Sequence, residues 1–256
     1  MIETSSQGPV TTLTLNRPQK RNAINAEMIN ALRDAIIAAE TDPECRVLVL
    51  TGAGGHFAAG RDLGDAGAAT PLDAVMAYDD AYTSLFEMLR RAAKPSLAVV
   101  EGYAVAGGFT LAMGCDFVIA ARTARFGALE MRGGFPAAVN TAILSHLVGP
   151  RQALELLLST ELFDAAHLHR IGLINKLADD TEDLSRQVKT FTDALAGLDP
   201  IAVKLTKETH RAALTMPLAE ALVMAKQLNS LLMTSGKIDA AANHFEQSRA
   251  TARGDS

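Results

Sequence analysis

Apolar residues recur along the chain at two different periods. Residues 10–15 alternate threonine with Val10, Leu13 and Leu15, and residues 47–50, 97–100 and 117–120 are short, nearly unbroken aliphatic runs. Runs of this kind suit strands covered on both faces. Between them the spacing becomes helical. Met28, Ile29, Leu32, Ala35, Ile36 and Ala39 share one face, and Tyr78, Tyr82, Leu85, Met88 and Leu89 share another. The alternation predicts an α/β fold. From about Pro150 onward strand signals nearly vanish, and residues 152–158, 184–195, 218–233 and 238–249 read as helices. A core domain over residues 1–195 and a helical C-terminal region over residues 196–256 follow from that change. The Gly/Ala-rich stretch 64–69 reads as a loop, and residue 250 onward as a frayed tail.

Composition narrows the class. With 256 residues, 48% hydrophobic and 21% charged, the chain can bury a large core. The net charge of −5 and scattered Lys and Arg leave no basic footprint for a phosphate backbone, so nucleic acid is not an expected partner. Cys45 and Cys115 lie far apart beside apolar residues, which predicts neither a disulfide framework nor a zinc site. The N-terminus lacks a basic segment followed by an apolar one, and a cytoplasmic location is expected. Residues 96–121 are apolar, but Glu101 and Asp116 leave only 14 uncharged residues between them, too few to span about 30 Å of hydrocarbon. Buried core, not membrane, is the expectation there.

Two segments read as a strand running into glycines and then into a helical pattern. One is Val47-Leu48-Val49-Leu50-Thr51-Gly52 leading to Phe57-Ala58-Ala59-Gly60-Arg61-Asp62-Leu63. The other is Val99-Val100-Glu101-Gly102-Tyr103-Ala104-Val105-Ala106-Gly107-Gly108-Phe109. Free amides at such a helix start suit developing negative charge, and glycine lets a ligand approach the main chain. Each segment alone also fits a tight turn with close packing.

Together they resemble the enoyl-CoA hydratase/isomerase (crotonase) superfamily. The resemblance covers nearly the whole chain, from Asn16-Arg17-Pro18-Gln19-Lys20-Arg21-Asn22-Ala23 through both glycine segments. It continues through Ala124-Arg125-Phe126-Gly127-Ala128-Leu129-Glu130 and Gly149-Pro150-Arg151-Gln152-Ala153-Leu154-Glu155 to Arg170-Ile171-Gly172-Leu173-Ile174. It implies a spiral of β-β-α repeats followed by a C-terminal helical trimerisation region, with trimers often paired into hexamers. It also implies an acyl-CoA thioester substrate with coenzyme A as part of the substrate, and neither a further cofactor nor a metal. The thioester oxygen would accept bonds from the amides of Arg61 and Gly107, donors of a kind worth roughly 2.7–4 kcal/mol each when removed from acyl-transfer enzymes. Arg21, Ala23, Ala59, Arg61, Asp62, Leu63, Gly107 and Thr110 would line the substrate and coenzyme A site.

The implied base is Glu130. Hydratases of the family use two glutamates, and the position of the first falls on Thr110, whose hydroxyl can hold a water but cannot take a proton at neutral pH. A double-bond isomerase needs one base, so isomerisation is slightly favoured over hydration, with an acyl-CoA hydrolase and a weakly catalytic acyl-CoA-binding protein as further alternatives. Phe126, Leu129, Met131 and Phe135 would raise the Glu130 pKa by desolvation, while Arg125 and Arg132 would oppose that. On residue type alone, Glu130 also fits a solvated strand end. Two segments depart from the family pattern: Gly133-Gly134-Phe135-Pro136-Ala137-Ala138-Val139-Asn140 replaces a turn ending in Gly-Gly-Thr, and Phe245-Glu246-Gln247-Ser248-Arg249 stands where many members carry a coenzyme A lysine. Other motifs carry less. Gly52-Ala53-Gly54-Gly55-His56-Phe57 lacks the third glycine of a dinucleotide fingerprint, and no G-x-S-x-G elbow occurs. His167 and His169 are spaced to opposite helix faces, as surface or capping residues are, and the terminal Arg253-Gly254-Asp255 reads as chance.

Overall fold

The structure, a computed structural model, describes residues 1–62, 64 and 71–233. One compact unit comprises Met1–Val203 and a second begins at Lys204. Leu63, most of the predicted loop 64–69, the predicted helix 238–249 and the tail lie outside the described residues.

The first unit is built on a six-stranded sheet. Its strands are β1 (Ile2–Gln7), β2 (Val10–Leu15), β3 (Val47–Gly52), β4 (Ser96–Val100), β6 (Phe117–Ala121) and β9 (Lys176–Ala178), in that order. The β1–β2 pair is antiparallel and every later pair is parallel. A smaller sheet joins β5 (Tyr103–Val105), β7 (Arg125–Gly127) and β8 (Phe163–Asp164), and an isolated bridge adds Ala58 beside Ala104 of β5.

The same unit therefore repeats three times: a strand in the large sheet, a pairing in the small sheet, then a helix. The repeats are β3, Ala58 and α2 (Leu72–Arg91); β4, β5 and α3 (Gly107–Met113); β6, β7 and α4 (Ala138–Leu147). Each repeat carries the chain from one sheet to the other and back, which winds it into a spiral.

The aliphatic runs are strands because both faces are covered. Leu48, Leu50, Ala98, Val100, Val118 and Ala120 enter the main core with Met28, Leu32 and Ile36 of α1 (Ala26–Thr41) and Leu85 and Leu89 of α2. The alternate residues Val47, Val49, Leu97, Val99 and Ile119 form a second core with Leu184, Val188 and Phe191 of α7 (Thr181–Ala196). Burying each such side chain contributes about 1.5–3 kcal/mol.

Several elements differ from the sequence reading. Residues 57–63, read as the start of a helical pattern, form no helix where described and make isolated bridges at Ala58 and Arg61, with Gly60 between them at φ +89°. Their amides are taken by distant carbonyls: Phe57 and Ala58 donate to Tyr103, and Ala59 to Arg21. The strand signal does not end at Pro150, because three-residue β9 forms the edge of the large sheet and two-residue β8 pairs with β7. α7 is a cover for one sheet face within the first unit. β1 was invisible as a pattern since its residues are mostly exposed. After α5 (Pro150–Leu158), α6 (Ala165–Arg170) and α7, α8 (Pro200–Ala213) runs past the unit boundary and α9 (Leu218–Met233) lies in the second unit.

Asn22 ties the loop after β3 to the turn before α1. It is fully buried in the left-handed region (φ +57°), its side-chain amide donating to the carbonyls of Ala53 (2.9 Å) and His56 (2.7 Å) and its Oδ1 accepting from Arg17 N (2.9 Å). Asn22→Ala strands these groups in the interior and should lower the unfolding free energy by about 3 kcal/mol, at 1–3 kcal/mol per unpaired group; chemical denaturation measures it.

Candidate functional site

Two main-chain segments from successive repeats meet at glycines. Ile24 N donates to Gly60 O (2.7 Å) and Asp62 N to Ile24 O (2.9 Å), so the Arg61 N–H faces the opposite edge of this extended stretch. That edge is occupied by Gly107. A Cβ on Gly107 would lie 3.6 Å from Arg61 N and 3.0 Å from Tyr82 Oη, and a Cβ on Gly60 would lie 3.1 Å from Gly107 N and 2.8 Å from the Ala106 Cβ. Among the described residues neither the Arg61 nor the Gly107 amide meets an acceptor. The pair forms a narrow two-donor gap.

Ala106, at the start of α3, sets the direction of the Gly107 amide. It adopts φ +48° and ψ −126°, a region normally left to glycine. Its N–H donates to Gly127 O of β7 (2.8 Å), and its carbonyl accepts from Phe109 N (3.0 Å) and Thr110 N (3.2 Å). β7 and the first turn of α3 thus hold the residue from both sides.

The Arg61 side chain is parked away from its own amide. Its guanidinium stacks 3.7 Å over the Tyr78 ring and pairs with Asp79 at 3.1 Å, both on α2. Tyr78 in turn donates to Ile24 O (2.9 Å), and the buried Tyr82 hydroxyl donates to the Gly107 carbonyl. Burial, then the neighbouring Tyr78, hold the Tyr82 pKa above its ordinary value, so this hydroxyl remains a neutral donor.

Glu130 opens a short 3-10 turn after β7, not a strand end. Its Oε1 accepts a 2.8 Å bond from Asn140 Nδ2, while Oε2 is buried without a partner among the described residues. Desolvation raises its pKa, opposed by its own backbone amide and by Asn140. Thr110 is 1% exposed, and its hydroxyl lies 3.3 Å from the Ala106 carbonyl. The same hydroxyl also bonds the Tyr82 side chain, which opposes the rise in the Tyr82 pKa.

The remaining predicted residues gather behind the gap. Arg21 O accepts from Ala59 N, the Arg21 guanidinium lies 5.9 Å from the Tyr103 ring centre, and Ala23 O accepts from Arg17 Nη1 (2.6 Å). The Asp62 carboxylate turns inward to Arg17 (2.8 Å) and Lys20 (3.3 Å), an arrangement in which Arg17 holds its pKa below the ordinary carboxylate value. Leu63 lies outside the described residues. Sequence reasoning missed Asn140 and Tyr82 as site residues. Tyr82 read as one more apolar position on α2, and Asn140 stands in a segment without family pattern that proved to be the first turn of α4.

A spiral of β-β-α repeats enclosing a two-amide gap beside a buried carboxylate is the fold of crotonase-type proteins. The profile of the family described as "Enoyl-CoA hydratase/isomerase" matches residues 5–252, and the chain belongs to that family. It is similar to the crotonyl-CoA hydratase of Syntrophomonas wolfei, at 35% identity over 197 residues, 76% of this chain and 75% of that one. Similarity to the short-chain-enoyl-CoA hydratase of Clostridium acetobutylicum is 34% over 204 residues, covering 79% and 77%. An enoyl-CoA hydratase/isomerase structure from Marinobacter aquaeolei superposes with a TM-score of 0.89 at 28% identity, covering 96% of each chain.

Gly60 has φ +89° and no room for a side chain. Gly60→Ala should cost about 1–3 kcal/mol of stability through backbone strain alone, and should also displace Ala106 and the Gly107 amide. A lowered melting temperature accompanied by lost activity on a thioester would be the result.

Proposed function

We propose that the protein binds an acyl-CoA thioester with its carbonyl oxygen between the Arg61 and Gly107 amides, and that Glu130 moves a proton at the α carbon of an enoyl-CoA. Arg21, Ala23, Ala59, Leu63 and the backbone of Asp62 line the coenzyme A path, with no cofactor beyond the substrate's own coenzyme A. In isomerisation, the ionised Glu130 takes the α proton of a 3-enoyl thioester, and the C–H electron pair moves toward the carbonyl and leaves negative charge on the oxygen facing the two amides. The charge then returns through the conjugated chain, the γ carbon takes the proton from Glu130, and a 2-enoyl thioester leaves. Atoms and charge balance with one base.

The observation that carries this reading is the state of the two candidate groups. Glu130 keeps one buried carboxylate oxygen free and its pKa is raised, as suits a base that must both accept and return a proton. Thr110, at the position of the second hydratase glutamate, is buried with its hydroxyl against Ala106 O. Isomerisation is therefore slightly favoured. Hydration is the second reading, supported by the names of the Syntrophomonas and Clostridium relatives; in that case Glu130 would serve both water and carbon.

For the assembly, we carry a homotrimer or a pair of trimers. Exposed Leu147, Leu154 and Leu158 on α4 and α5, with Leu162 after them, supply apolar surface for it.

Paired assays of 2-enoyl-CoA and 3-enoyl-CoA test the reaction. Wild type should convert 3-enoyl to 2-enoyl thioester faster than it hydrates the latter, Glu130→Gln should lose about 100-fold or more in kcat, and Thr110→Glu should gain hydration. Faster hydration by wild type, with Glu130→Gln undiminished, would overturn the reading. Because the base must be ionised and burial raises its pKa above the ordinary value, activity should fall as pH drops through that raised pKa; a kcat/KM profile against pH, which reports the free enzyme, measures the position of that limb.

A further inference from the structure

We propose that Asn140 is the positioning residue of this site, its single amide nitrogen orienting the Glu130 carboxylate and holding the Ala106–Gly107 peptide plane at the same time. The inference rests on the reading of Glu130 and Gly107 given above and extends it to a residue outside both glycine segments.

Asn140 lies in the first turn of α4 and is 1% exposed. Nδ2 carries two hydrogens and has two partners, Glu130 Oε1 at 2.8 Å and Ala106 O at 3.1 Å. Both partners are acceptors, which fixes the orientation of the amide: the flipped form would set an oxygen against two oxygens. Oδ1 is buried without a protein partner. Burying an unpaired acceptor is destabilising, so the side chain is a poor choice for stability and a good one for aiming two groups.

The second contact reaches the oxyanion donor through covalent geometry. The Ala106 carbonyl and the Gly107 N–H are opposite ends of one planar peptide group. Fixing the oxygen therefore fixes the direction of the N–H, and donation to that oxygen polarises the group and strengthens the donor at its other end. Ala106 sits in a strained conformation, so its plane depends on such anchors. The first contact occupies Oε1 and leaves Oε2 as the oxygen free to exchange a proton. Tyr82, the other titratable group that senses the Glu130 charge, stays neutral. Base and oxyanion donor, from different repeats of the spiral, thus share one anchor on a third helix.

Exchange of the α protons of butyryl-CoA in D2O, followed by proton NMR, tests this without assuming a product. Wild type should exchange and Glu130→Gln should not. Asn140→Ala should lower kcat for exchange by about 10- to 100-fold, the scale of an ångström-level misplacement, with KM little changed. Its acidic pH limb should move to higher pH, because a donor to the ionised carboxylate is gone. Asn140→Leu keeps the shape, removes both donors and adds no charge, and should fall at least as far with a melting temperature near that of wild type. If wild type and Glu130→Gln both fail to exchange, the proposed function falls and this inference with it. If wild type exchanges and Glu130→Gln does not, but Asn140→Leu keeps wild-type kcat, the Asn140 role alone is overturned. A loss confined to KM or to melting temperature, with the pH limb unmoved, equally overturns it.

Discussion

The close approach of two backbones at Gly60 and Gly107 is the constraint around which the first unit is arranged. A Cβ at Gly60 would fall within 3.1 Å of Gly107 N, and one at Gly108 would fall 2.2 Å from the Ala58 carbonyl, so successive turns of the spiral touch main chain to main chain. Such contact requires the segment after β3 to remain extended, since a helix there would withdraw the Arg61 amide from the edge facing Gly107. The bridges at Ala58 and at Arg61, the Asn22 side chain and the positive φ of Ala106 all serve this one geometry.

Two carboxylates near this junction have opposite environments. Asp62 is enclosed with Arg17 and Lys20, and pairing with Arg17 lowers its pKa; it stays ionised and locks the segment carrying the Arg61 amide to the turn before α1. Glu130 is half-buried with one donor from a neutral side chain and no cation paired with it among the described residues, and desolvation raises its pKa. Arg125, a candidate for lowering it, instead bonds the carbonyls of Thr123 and Ala124. The difference follows from whether the buried charge is given a partner, the condition that decides between a structural ion pair and a carboxylate ready to exchange a proton.

Much of the fold could be read from hydrophobic period. Strands β2, β3, β4 and β6 and helices α1, α2, α5 and α7 each present a recurring apolar pattern, because each buries a continuous face or both faces; α9 shows the pattern too, although Ala221 is its one buried residue among those described. β1, β5, β7, β8 and β9 could not be read this way. They are two to six residues long; β1 is mostly exposed and is held by its hairpin with β2, and what makes the others strands is a partner distant in sequence, such as Phe117–Ala121 for β9. α7 shows the same limit from the other side: its amphipathic pattern predicts a helix but not that the face it covers belongs to residues 47, 49, 97, 99 and 119.

The candidate groups Arg61, Gly107, Thr110 and Glu130 came from the resemblance of their segments to the crotonase family, whereas the residues alone determined the alternating architecture and the glycines that allow backbone to meet backbone. Those properties are local, set by side-chain period, conformational freedom and chemical type. Only the tertiary structure decided that the Arg61 guanidinium is held on Tyr78 and Asp79, away from its own amide; that the Asp62 carboxylate turns inward; and that Asn140 joins Glu130 to Ala106. These depend on which way a group points once distant segments have packed, a quantity carried by hydrogen bonds between residues 10 to 45 positions apart and by no pattern along the chain.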